Sequence, residues 1–188
     1  MVTVSTLKAY HHGDLRSALV SAGLTALETT DIGEISLRQL AREVGVSPTA
    51  VYRHFPDKSA LMRALAETGI DQMAEWQRRA AAGAQESEAF AATGRAYVRW
   101  ALANPALFRL AFGQCDSIGP TVFGDNEAAQ MLRRYAEHLT GSEAGAQRLM
   151  VQAWAVVHGL AMLMLDGQLP RDEGLIDRVI DAQTLFRA

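Results

Sequence analysis

The sequence predicts an all-α protein, with an N-terminal head of three helices built around a helix-turn-helix and a larger helical body behind it. Three observations point there. Alanine is abundant and β-branched runs are scarce, which favours helix because alanine loses no side-chain entropy on becoming helical. Apolar residues recur three and four positions apart along most of the chain. The breaks between those stretches carry glycine, proline and capping residues in helix-ending and helix-starting order.

The first helix is expected from Asp14 to about Thr29, with Leu15, Leu19, Ala22 and Ala26 on one face and Asp14 as cap or first turn. Asp31 to Glu34 is a turn. Ser36 opens a second helix, and Gln39 three residues later completes a capping-box pattern. Leu37, Leu40, Ala41 and Val44 form its apolar stripe, and Gly45 ends it. Ser47-Pro48 then reads as an N-cap with proline at the first helical position, where a missing N–H costs nothing. This third helix runs to about His54. Pro56 stops it, and Asp57 caps a fourth helix that extends from Lys58 to about Ala82.

Beyond Gly83 the pattern stays helical. Phe90 to Ala103 is one segment, broken at Asn104-Pro105, and Ala106 to Phe112 is a short one. Glu127 to Leu139 follows, punctuated by Gly141-Ser142. Leu149 to Leu165 is apolar on nearly every side, the pattern of a helix buried on more than one face. The last helix, about Glu173 to Phe186, presents Ile176, Val179, Ile180 and Leu185.

Composition is that of a globular chain: 49% of residues are hydrophobic and 21% charged. The net charge of -3 speaks against a polyanion partner only if charge is spread evenly, and it is not. Residues 1–63 carry seven basic and six acidic side chains, whereas residues 64–188 carry eleven and fifteen. The single cysteine, Cys115, cannot make an internal disulfide, and a lone thiol without cationic neighbours is an inert one. Leu149 to Leu165 is interrupted by Gln152 and His158, and Met1 to Lys8 has no apolar core, so a soluble cytoplasmic protein without a membrane partner is expected.

The segment between about Ser36 and Phe55 carries the function. Its second helix leaves Arg38, Arg42 and Glu43 outward, while Val46, Val51 and Phe55 hold the third helix in place. Ser47, Thr49, Ala50, Tyr52, Arg53 and His54 then lie on or near the exposed side. Small residues at a helix N-terminus permit close approach to a major groove, and hydroxyls and the helix dipole favour phosphate. Arg38 can reach a guanine with two hydrogen bonds, and Tyr52, His54 and Lys58 can clamp the backbone. The plainer alternative is a helical hairpin of ordinary core packing. A purely dimerising or small-molecule-binding helical protein would have no need of Arg38, Tyr52 and Lys58 outward.

The run SLRQLAREVGVSPTAVYRHFPDKSALMRALAE resembles the DNA-binding head of the tetracycline-repressor (TetR) family of bacterial regulators, most specifically at Tyr52-x-His54-Phe55-x-x-Lys58. The resemblance implies that Arg38 reads a base edge and that Ser47, Pro48, Thr49, Ala50 and Arg53 face the groove. It implies that Tyr52, His54 and Lys58 touch phosphate. Asn104-Pro105-Ala106-Leu107-Phe108-Arg109-Leu110 and Trp154-x-x-x-His158-Gly159 look like the C-terminal body of one subgroup of that family. The division implied is a DNA-binding head at 13–73, its motif at about 36–55, and an effector-binding and dimerisation body at 86–188. The partners implied are a palindromic double-stranded operator, a second copy of the chain, and an unidentified small effector. The dimer interface falls on the last two helices, at Leu160, Ile176, Val179 and Ile180.

Trp100, Phe108, Phe112, Trp154 and His158 are the candidate effector contacts, with Phe123 a further cavity aromatic. Aromatics at helical spacing are more often plain core, and for His158 a core histidine satisfied by a carbonyl or carboxylate is the preferred reading. Adjacent His11 and His12, near Lys8 and Tyr10, lack metal-ligand spacing and suit an arm approaching DNA or a loose end. No cofactor or metal is expected. No G-x-S-x-G, Walker A, G-x-G-x-x-G or H-E-x-x-H occurs, so the sequence carries no motif for an enzyme.

Overall fold

The computed structural model describes residues 12–113 and 124–181, the side chains of 12–14 excepted. The arm residues Lys8, Tyr10 and His11, Cys115, Phe123 and Leu185 lie outside those residues. Among the described residues the chain is helical with no strand, and its residues sort into two compact units, 1–65 and 66–188.

The first unit contains α1 (His12–Leu27), α2 (Leu37–Val44), α3 (Pro48–Tyr52) and the start of α4 (Lys58–Ala82). Its core is Leu15, Leu19, Leu27, Leu40, Val51, Phe55, Leu61 and Leu65, all buried. The inward face of α1 differs from the expected one. Ala22 and Ala26 are only half-buried, while Gly23 and Leu27 take the inner positions. At Gly23 a Cβ would stand 3.0 Å from Leu65 Cδ2, so Leu65 packs on bare backbone. Glycine is invisible to a search for apolar side chains, which accounts for the miss.

The second unit holds the rest of α4, a 3₁₀ turn (Glu86–Glu88), α5 (Ala89–Ala103), α6 (Pro105–Gly113), α7 (Glu127–Thr140), α8 (Glu143–Leu165) and α9 (Glu173–Val179). Helix α5 is the hub, packed by α6, α8 and α9, while α7 pairs with α8. Asn126, Ser142 and Asp172 cap α7, α8 and α9 through side-chain oxygens, and Gly141 takes the left-handed conformation between α7 and α8 at φ 64. Helix α8 begins six residues earlier than its apolar pattern, because Glu143 to Arg148 is a largely polar first turn and a half after a sound cap. It is long and apolar enough to cross a membrane by length and composition, yet Leu149, Met150, Ala153, Val157, Leu160, Ala161 and Met164 are buried in the core. Its other side, with Val151 and Leu163, is exposed in this single chain, so burial on more than one face does not hold within the chain.

Helix α9 also departs from expectation. It ends at Val179, and Ile180 leaves helical geometry as its C-cap.

Candidate functional site

The candidate nucleic-acid interface lies in the first unit. Helix α2 closes on Gly45 at φ 75, and the N–H groups of Gly45 and Val46 return to the carbonyls of Arg42 and Ala41. A side chain at that φ would be strained, so the turn needs glycine. Ser47 Oγ accepts the N–H of Ala50 at 3.3 Å and Pro48 follows in the first turn of α3, as the sequence predicts. Asp57 Oδ1 accepts the N–H of Ala60 at 2.7 Å and starts α4. The capping box at Ser36 does not form. Ser36 makes no side-chain cap bond, and Gln39 Nε2 donates instead to Glu43 Oε1 at 3.0 Å. That bond to a carboxylate one turn ahead draws the Gln39 amide along the helix, away from the Ser36 N–H that its oxygen would accept in a capping box.

Val51 at 0% exposure and Phe55 at 1% seat α3 on the unit's core, with the Arg16 guanidinium 5.3 Å above the Phe55 ring. Those anchors leave Arg38, Ser47, Pro48, Thr49, Tyr52 and Arg53 exposed, and Ala50, His54 and Lys58 half-buried. Among the described residues the side chains of Arg38, Thr49, Tyr52 and Arg53 have no hydrogen-bond or ion-pair partner in the protein. Lys58 is different: its Nζ donates to the Gly33 carbonyl at 2.7 Å, tying the start of α4 to the turn before α2. An ammonium has three donors, so two remain for a phosphate.

The second unit contains a cavity in which the centre of a water molecule can move through about 60 Å³. Its wall includes Phe112 and Trp154 from the predicted set, joined by Gln77, Thr93, Tyr97 and Ile180. The other three candidates are not on the wall. Trp100 and Phe108 are completely buried in core packing, and Phe108 stacks on Phe112 with ring centroids 4.9 Å apart. His158 sits between Trp154 and Phe108 at 5.1 and 5.4 Å, and its Nδ1 lies 2.9 Å from the Tyr97 hydroxyl. Its partner is therefore a phenol, and not the carbonyl or carboxylate expected. Desolvation holds the His158 imidazolium below its ordinary pKa and pushes the Tyr97 phenol well above its own. Both groups are neutral at pH 7.

Two features of this wall left no trace in the sequence reading. Gln77 donates from Nε2 to the Thr93 carbonyl at 3.3 Å, while its buried Oε1 has no partner. Gly94 lines the cavity, and a Cβ there would lie 2.9 Å from Ile180 Cγ2 and 3.2 Å from Val157 Cγ1, so both side chains pack directly on its backbone. The expected dimer residues also need correction. Leu160, Ile176 and Ile180 are at most 5% exposed and belong to the chain's own core, with only Val179 half-buried. Helix α9 spends its stripe against α5 of the same chain. The exposed apolar residues nearby are Val151 and Leu163 on α8.

Two family models match this chain: one described as bacterial regulatory proteins of the tetR family over residues 19–65, the other as a tetracyclin repressor-like C-terminal domain over residues 90–184. An HTH-type transcriptional regulator of Mycobacterium tuberculosis, Rv0472c, is 30% identical over 187 residues, covering 89% of this chain and 74% of that protein. The solved structure of a Rhodococcus sp. RHA1 protein of unknown function is similar at TM-score 0.78 and 33% identity, covering 96% of this chain and 97% of the other. A tetR-family regulatory protein, also from Rhodococcus RHA1, shares the fold at TM-score 0.62 and 18% identity, covering 91% and 96%.

Proposed function

Because this chain belongs to the tetracycline-repressor family of bacterial DNA-binding transcription regulators, we propose that it is a repressor whose dimer holds a palindromic operator until a small effector enters the body. The functional division we assign is a DNA-binding head at 13–73 and an effector-binding and dimerisation body at 86–188. It works in the cytoplasm, where its DNA is.

The observation that carries the DNA contacts is the exposed set on α2 and α3. Arg38, Thr49, Tyr52 and Arg53 are held on a motif closed by Gly45 and capped at Ser47, yet their side chains spend no hydrogen bond on the protein. Arg38 is assigned to a base edge; Ser47, Pro48, Thr49, Ala50 and Arg53 to the groove; Tyr52, His54 and Lys58 to phosphates. Two such heads on a two-fold axis meet half-sites about one helical turn, ~34 Å, apart or more. A gel shift on the DNA beside its own gene, across a salt series, tests this. Retardation should fall steeply with salt as counterions are released. Retardation of random and native DNA alike would reject a specific operator.

Regulators of this family act as dimers, and α8 supplies the face we assign to pairing. Val151, Ala155, Gly159 and Leu163 are spaced four apart, and a Cβ at Gly159 would meet nothing within 4 Å. An i±4 ridge of small and apolar residues suits close packing against its own copy. Val151→Glu with Leu163→Glu should give a folded monomer in sedimentation that no longer holds operator. An unchanged dimer would move the interface elsewhere.

Control follows from linkage. Helix α4 carries Leu61 and Leu65 in the head's core and Ile70, Met73 and Gln77 on the cavity wall, so one helix contributes residues to both tasks. A hundredfold release of operator needs ~2.7 kcal/mol of coupling, and operator must weaken effector binding by the same factor. Equal effector affinity with and without operator would leave a regulator set only by its abundance.

A further inference from the structure

The cavity's polar inventory narrows what can occupy it. The 60 Å³ open to the centre of a water molecule is less than the ~150 Å³ of a cavity that takes up benzene, so a single small ring is the upper limit and needs the wall to give slightly. Its described walls bear no carboxylate, ammonium or guanidinium. A charged guest would be stripped of water with nothing to pair it. The wall's own polar atoms are mostly engaged. The Thr93 hydroxyl donates to the Phe90 carbonyl at 2.6 Å, Asn126 Oδ1 accepts the N–H of Ala129 at 2.9 Å, and the Tyr97 hydroxyl is bonded to His158.

Gln77 is the exception. Its amide orientation is fixed by the Thr93 carbonyl, since only the NH₂ end can face a carbonyl oxygen. That leaves Oε1 buried as an acceptor without a protein partner. A guest with an O–H or N–H beside an apolar ring or short chain satisfies it. A bare hydrocarbon that displaces water from Oε1 strands it.

We propose that the ligand of this cavity is a small, uncharged, largely apolar molecule carrying one hydrogen-bond donor, which it gives to Gln77 Oε1. This rests on reading the cavity as the effector site, but its test does not depend on DNA. Phenol, toluene and benzoate, alike in size, are titrated calorimetrically into the full-length protein. Phenol should bind on the order of tenfold more tightly than toluene, the cost of an unmet buried acceptor, and benzoate should not bind. In Gln77→Leu the order should reverse, because toluene is the more hydrophobic guest, and folding stability should hold or rise as the stranded oxygen is removed. Gln77→Met serves as a second variant of similar length should leucine pack poorly.

Toluene equal to phenol in the natural protein, benzoate bound as well as phenol, a phenol preference surviving both variants, or no probe bound at millimolar concentration would each overturn the proposal. A gel shift with and without phenol separates the two readings. Phenol bound in the predicted order with operator affinity unchanged removes the regulatory role and leaves the ligand class standing.

Discussion

The head and the body use their side chains in opposite ways. In the head the groups proposed to act are those whose side chains pack against nothing: Arg38, Thr49, Tyr52 and Arg53 stand in solvent on a motif anchored by Val51 and Phe55. In the body the polar groups of the proposed effector site are drawn inward, where Tyr97 and His158 meet each other and Gln77 faces the cavity. A surface that must meet a partner as large as DNA has to leave its donors free. A chamber for a small molecule has to hide its few polar atoms and settle nearly all of them beforehand.

The largest test of that contrast comes from two fully buried phenylalanines, one in each unit. Phe55→Ala and Phe108→Ala should each cost about 3–5 kcal/mol, measured by denaturant unfolding, because each side chain is essentially sealed from solvent. Their functional marks should differ: Phe55→Ala loses operator and keeps phenol, whereas Phe108→Ala loosens the aromatic cluster and phenol binding. A variant that abolishes both functions at once would break the separation of tasks.

Arg38→Ala comes next. It should weaken operator binding by about 1–3 kcal/mol and relax specificity at one base pair, with unfolding unchanged. Equal weakening on operator and random DNA would move Arg38 from base reading to phosphate contact. Ser47→Ala sharpens the point on a smaller scale, removing the N-cap of α3 at a cost of about 1 kcal/mol in stability.

The smallest expected effect is a pH dependence belonging to the body. Burial lowers the His158 pKa in the folded state, so near pH 6 the unfolded chain binds more protons than the folded one. Stability therefore rises with pH through this window, and the His158 contribution is lost as pH falls below its ordinary value of 6.5. His158→Gln should flatten the stability profile between pH 5 and 7. An unchanged profile would mean that the imidazole is not held neutral by its surroundings.

The same contrast explains what could be read from the sequence. The head was legible almost to the residue, because Gly45, Ser47-Pro48 and Asp57 are local signals whose chemistry completes itself within a turn. The Ser36 capping box failed there, with Gln39 bonded to Glu43 instead, and the inner face of α1 was misplaced because Gly23 offers no apolar side chain to read. In the body the helices were legible but their facing was not. Trp100, Phe108 and Phe112 look alike in sequence, and only packing decides that Phe112 reaches the cavity. Ile176 and Ile180 read as a free stripe because nothing local reveals that α5 covers them. Gln77 carries no local signal at all, since its orphaned oxygen depends on a carbonyl sixteen residues away.

Gly94 gives the chamber an unusual kind of adjustability. One stretch of its wall is defined by a carbon that is not there, facing the Cγ2 methyl of Ile180. Adding that carbon alone crowds Ile180 most and Val157 less, and shortening Ile180 alone leaves a gap, but the two changes together nearly conserve volume if Val157 yields a few tenths of an ångström. The pair is thus a two-position dial for guest shape that touches neither Gln77 nor any residue of the head. If the cavity is the effector site proposed above, a lineage can retune its guest along that axis by small compensated steps, while the residues of the head stay as they were.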